Sequence, residues 1–116
     1  MMLKILIIST VLFSSNLSYA SPPSVDDYQK YDKNDLHDMY IYGLESGLEW
    51  AQEHTYTKNS IEFFCKPGDL VLSSSQLRSL INKEIQENNS FYIKYKDAPL
   101  LGLALRNAYI ENFPCQ

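Results

Sequence analysis

Ser73-Ser74-Ser75-Gln76-Leu77-Arg78-Ser79-Leu80-Ile81-Asn82-Lys83-Glu84-Ile85 is the stretch that decides the fold class. Ser73 followed three residues later by Gln76 makes a capping box: the hydroxyl accepts from the third amide of a helix while the glutamine reaches back to the serine amide. Leu77, Leu80, Ile81 and Ile85 then recur three and four apart, which lines one helical face with apolar side chains. Asn88-Asn89-Ser90 ends the run. Downstream, Leu100, Leu101, Ala104, Leu105, Ala108 and Tyr109 form a second helical stripe, with Asp97 placed to cap it and Pro99 tolerated in its first turn. Upstream, Leu36, Tyr40, Gly43, Gly47, Leu48 and Ala51 predict a third helix over residues 35–54, capped by Asn34 or Asp35. The expected fold is all-α, a small bundle of three to five helices.

Two glycines inside a helix cost roughly 1 kcal/mol each relative to Ala, so Gly43 and Gly47 require a reason. Four apart, they make a flat strip that a neighbouring backbone can approach. Packing within the domain is the favoured partner, and a dimer interface is the alternative. Glu45, Glu49 and Glu53, also four apart, read as a solvated face.

Residues 1–20 are set aside from the fold. Lys4 precedes an apolar run over residues 5–13, and Ser18-Tyr19-Ala20 supplies the small residues that signal peptidase requires, so the segment reads as a secretory signal peptide cleaved after Ala20. The run is too short for a permanent transmembrane helix, and the product is expected to be soluble. Residues 21–34, with Pro22 and Pro23, read as a flexible lead-in. Residues 35–116 are the helical domain. Export makes the two cysteines readable: an oxidising compartment joins Cys65 to Cys115, the one connectivity open to a pair. Closing a loop of that size contributes roughly 4 kcal/mol in the chain-entropy model. The irregular middle, residues 55–72, carries Ile61, Phe63 and Phe64, expected to pack beneath the bridge, and a turn at Lys66-Pro67-Gly68-Asp69.

The 116 residues carry 10 Lys plus Arg against 14 Asp plus Glu, a formal net charge of -4. No basic surface is available to neutralise phosphates or anionic lipid, which argues against nucleic-acid and membrane partners. Catalysis lacks a constellation: His37 and His54 have no companion at ligand spacing, and the serines at 73–75 serve a cap better than a nucleophile. No metal site or cofactor is expected, because both thiols are committed to the bridge.

Phe63-Phe64-Cys65-Lys66-Pro67, Leu70 to Leu72, Ser75-Gln76-Leu77 and the closing Phe113-Pro114-Cys115 resemble, in order, the Rap/Tai family of type VI secretion immunity proteins. Gly43-Leu44-Glu45-Ser46-Gly47-Leu48-Glu49-Trp50-Ala51 looks like that family's first helix. The resemblance spans residues 36–115 and implies a periplasmic, non-enzymatic homodimer that binds a peptidoglycan amidase effector and covers its Cys-His active site. The sequence departs from the family over residues 106–112, which are longer and less Ala-rich than usual. A periplasmic acid-stress chaperone, or a structural or adaptor protein of the envelope, is the alternative.

Binding hot spots favour aromatic anchors within a polar rim. Phe91, Tyr92 and Tyr95, interleaved with Lys94 and Lys96, are the first candidate partner-binding set, on a connection that could also be a short strand. Aromatics folded over the core, with the lysines in water, are the competing reading of the same segment. Tyr56 and Lys58 are the second candidate set.

Overall fold

The computed structural model describes residues 21–31 and 34–116, and all regular structure among them is helical. The elements are α1 (Val25–Lys30), α2 (Asp35–Asn59), α3 (Ser74–Glu87), α4 (Asn89–Lys94) and α5 (Leu101–Asn112). The expected signal peptide and its cleavage point lie outside the described residues.

The capping box forms as the sequence requires: Ser73 Oγ accepts from the Gln76 amide at 3.2 Å and Gln76 Oε1 accepts from the Ser73 amide at 2.9 Å. Leu77, Ile81 and Ile85 then enter the core. At the start of α3 the Ser74 amide donates to the Tyr42 hydroxyl, and one turn on Arg78 Nε binds Asp38 at 2.6 Å. Advancing along α3 therefore retreats along α2, and the two are antiparallel. On the other side Gly102 of α5 lies against Leu44, where an added Cβ would come within 3.3 Å of Leu44 Cδ2. Leu101, Ala104, Leu105, Ala108 and Tyr109 of α5 are buried, as their spacing predicts.

The bridge joins Cys65 to Cys115, and beside it the Cys65 amide donates to the Phe113 carbonyl at 2.7 Å. Of the three residues expected beneath it, only Phe64 is buried, edge-on to Tyr109; Ile61 and Phe63 face solvent. Gln52 explains the split. Its Oε1 accepts from the amides of both Phe63 and Phe64, and its Nε2 donates to the Phe64 carbonyl, so one side chain fixes the extended segment with Phe64 turned inward.

Several boundaries and faces differ from expectation. α2 continues to Asn59, where Ser60 in the left-handed region (φ 56°) stops it and donates its amide to the Tyr56 carbonyl. α5 begins at Leu101 with no side-chain cap, so Asp97 does not cap it. Pro99 lies ahead of the helix, immediately before its N-cap Leu100, and not in its first turn.

The buried face of α2 is His37 and Ile41, with Tyr40, Leu44 and Leu48 packed against the core; of the expected stripe, Tyr40 and Leu48 take part, while Leu36, Gly43, Gly47 and Ala51 are exposed. Leu36 is 72% exposed, and nothing approaches within 4 Å of where a Cβ would stand on Gly43 or Gly47. The close helix approach expected at those glycines occurs at Gly102 instead.

The lead-in is not loose over its whole length. Ser24 caps α1, and Val25 and Tyr28 are core residues. The Val25 and Asp26 amides donate to the carbonyls of Ala98 and Lys96, and the Tyr28 hydroxyl donates to Asn82 Oδ1 at 2.7 Å. Two apolar side chains suffice to dock so short a helix because its leading amides are satisfied by the turn before α5.

Candidate functional site

The segment carrying the first candidate set is helical. Asn88 closes α3 by donating its amide to the Glu84 carbonyl and opens α4 by accepting from the amides of Phe91 and Tyr92. Helical geometry divides the residues that an alternating pattern would have placed on two faces. Phe91, Ile93 and Tyr95 project outward with Lys94 and Lys96, while Tyr92 is 1% exposed. This corrects the expectation for Tyr92 as an exposed contact: its ring is core and its hydroxyl donates to Glu84 Oε2 at 2.5 Å. Burial, reinforced by the Glu84 carboxylate, holds the Tyr92 phenol above its ordinary pKa, so it remains a proton donor at neutral pH.

The outward residues form a ledge. The Phe91 ring stacks at 5.0 Å from Tyr95 and at 5.1 Å, edge-on, from Tyr92. Lys94 Nζ sits 5.3 Å from the centre of the Tyr95 ring. The turn beyond is pinned by the α1 amides at Lys96 and Ala98. A short helix without a capping side chain is thereby held from below by Tyr92 and from the side by α1.

Tyr56 and Lys58 are exposed on the last turns of α2, not in a loop. Tyr56 borders a small cavity of about 180 Å³ that it shares with Glu49, Glu53, Glu62 and Lys66. No residue lining it lines the cavity beside α4, so the structure does not bring the two candidate sets together.

Glu45 and Glu49 are not a merely solvated pair. Lys66, with its side chain almost fully buried, binds Glu49 at 2.8 Å, approaches Glu45 at 3.7 Å and donates to the Leu70 carbonyl at 2.6 Å. Tyr109 donates to Glu45 Oε1 at 3.1 Å. Burial, then repulsion from Glu49, raises the Glu45 carboxyl above its ordinary pKa against the pull of Tyr109 and Lys66. The cluster ties the loop before α3 to α2 and α5, which is a structural task.

His37 is buried and His54 exposed on the same helix, about 25 Å apart along its axis at 1.5 Å per residue. They do not converge. Glu62 lies near both cysteine sulfurs, yet sulfurs joined to each other are not thiolate ligands. The chain matches no family model, no curated protein and no solved structure.

The residues that the sequence did not single out as parts of a site are Glu84, Asn88 and Asn107. Together with Phe91, Tyr92 and Leu103 they line a cavity of about 450 Å³ behind the ledge. A Glu on the α3 stripe one residue before Ile85 was the available signal.

Proposed function

We propose that this protein is a periplasmic immunity-type inhibitor that binds a peptidoglycan amidase effector and covers its active-site groove, without chemistry of its own. The observation that carries the reading is the ledge of Phe91, Ile93 and Tyr95, rimmed by Lys94 and Lys96 and held by a frame bridged from Cys65 to Cys115. Large apolar side chains that remain exposed beside lysines suit a partner surface. The resemblance to the Rap/Tai family names the partner class.

The homodimer belongs to the same proposal. The outward face of α2 carries Leu36, Met39 and Trp50, all about 70% exposed, around open Gly43 and Gly47. Two copies of α2 crossing antiparallel at Glu45 place Gly43 opposite Gly47 and Met39 near Trp50, so small residues meet at the centre and large ones flank them. That pattern is self-complementary, as a two-fold interface requires.

The test is calorimetry and peptidoglycan hydrolysis with any amidase found encoded beside this protein's gene. The wild type is expected to bind and inhibit, and Tyr95→Ala and Lys94→Glu to weaken both with unchanged melting. An amidase that works at full rate in excess inhibitor refutes the proposal.

A further inference from the structure

We propose that the cavity floored by Glu84 is a binding site for an alkylammonium group, the lysine side chain of a partner protein. The inference deepens the reading above and rests on it for the partner's identity, but not for the chemistry of the cavity. Glu84 is 5% exposed, and the partners of its carboxylate among the described residues are neutral: Tyr92 Oη on Oε2, Asn88 Nδ2 on Oε1 at 2.9 Å, and Asn107 Nδ2 on Oε2 at a long 3.5 Å. No Lys, Arg or His among them pairs with it. Arg106, the cation beside Asn107, donates to Asn107 Oδ1 at 3.1 and 3.3 Å and not to the carboxylate. The buried carboxylate thus has neutral hydrogen-bond donors and no direct ion pair, and its four lone-pair sites are not all filled.

The cavity's other surfaces suit the same ligand. Phe91 and Leu103 supply apolar walls for a methylene stem, and an aromatic face attracts a cation. The Asn88 side chain donates through its nitrogen, leaving its amide oxygen for an incoming N–H. A compact ammonium fits better than a guanidinium: the bidentate fork needs both carboxylate oxygens along one edge, and Tyr92 and Asn88 already occupy one each. An amine with its own carboxylate alongside, as in a free diamino acid, would be repelled by Glu84.

The test follows the Asn88 and Asn107 side-chain amides by NMR while the purified protein is titrated with Nα-acetyl-lysine methylamide. Saturable shifts at those amides are expected, with affinity about tenfold or more weaker for the neutral Nε-acetylated analogue, and weaker also for the arginine analogue. Glu84→Gln is expected to abolish them. Leu103→Trp, which fills the cavity from a half-buried position and leaves the Glu84 bonds in place, is expected to do the same and serves if Glu84→Gln fails to fold. Several results overturn the inference: no shifts, as when Arg106 folds over Glu84; equal affinity for the acetylated analogue; shifts centred on Glu45, Glu49 and Glu53; or binding that survives Leu103→Trp. An amidase inhibited by a protein whose cavity ignores lysine overturns this inference alone. A lysine-binding cavity on a protein that inhibits no amidase overturns the proposed function alone.

Discussion

Replacing Tyr92 separates a core residue from a contact residue. Tyr92→Phe deletes one hydroxyl that donates to a buried carboxylate, and a hydrogen bond to a charged group contributes about 1.5–3 kcal/mol. Tyr92→Ala also removes a fully buried ring, for which truncation costs about 3–5 kcal/mol. The two losses together reach into the range of a domain's whole stability, about 5–15 kcal/mol. Tyr92→Phe should therefore lower Tm by about 10 °C, since 1 kcal/mol moves a domain of this size by about 4–8 °C, whereas Tyr92→Ala should be largely unfolded at 37 °C. Tyr95→Ala, three residues on and exposed, should stay within about 0.5 kcal/mol of wild type. Urea denaturation followed by circular dichroism reads all three. A Tyr92→Ala protein as stable as Tyr95→Ala would refute the burial of that ring and restore it to the contact surface.

Cys65→Ser should destabilise the fold by about 2–5 kcal/mol, and reduction of the wild type should reproduce the loss in the same denaturation assay. Glu45 should behave unlike an ordinary paired carboxylate. Its folded pKa lies above its ordinary 4.5, so its contribution to stability is whole below pH 4.5 and is lost as the pH rises through the raised value. Glu45→Gln should thus flatten the stability profile above pH 4.5 and leave the protein at least as stable at pH 7. Glu49→Gln, which strips Lys66 of its 2.8 Å partner, should destabilise by about 1–2 kcal/mol once solvent screening of the half-exposed carboxylate is allowed for. Gly47→Glu sets like charges against each other at the centre of the proposed dimer, so sedimentation should show a monomer with unchanged helix content; a dimer that persists would move the interface elsewhere.

The parts of the fold legible in the sequence are those dictated by neighbours along the chain. The Ser73–Gln76 box is a contact between residues three apart, and the buried stripe of α5 is a matter of helical interval, so both could be read locally. The bridge was expected from a pair of cysteines and a leader read as an export signal. α2 defeated the same reasoning in part, because beside the expected Leu36, Tyr40, Gly43, Gly47, Leu48 and Ala51 it carries Ile41 and Leu44, and the core takes Ile41, Leu44, Tyr40 and Leu48 from the two sets. Periodicity alone does not say which of them the other helices cover. Tyr92 was ambiguous for a related reason: over six residues, alternation and helical interval fit equally well, and what decides is Glu84 waiting on α3 for its hydroxyl. Gln52 and Asn107 act on residues 12 and 23 positions away, and such pairings leave no local trace.

The ledge owes its order to elements far from it in sequence. An isolated helix as short as α4 is unstable in water, because nucleation costs more than a single turn of hydrogen bonds returns, and α4 has no capping side chain to help. Its backbone is instead fixed by Tyr92 reaching down to Glu84 and by the turn after it, whose Lys96 and Ala98 carbonyls are occupied by the amides of Asp26 and Val25. α1 is in turn held by Tyr28 on Asn82 of α3. A partner that binds Phe91 and Tyr95 therefore meets side chains whose backbone is already ordered, and that ordering cost falls on folding and not on association. The same chain of contacts places the buried carboxylate directly behind the aromatic surface, so the residue that supports the ledge is also the one in the proposed lysine site.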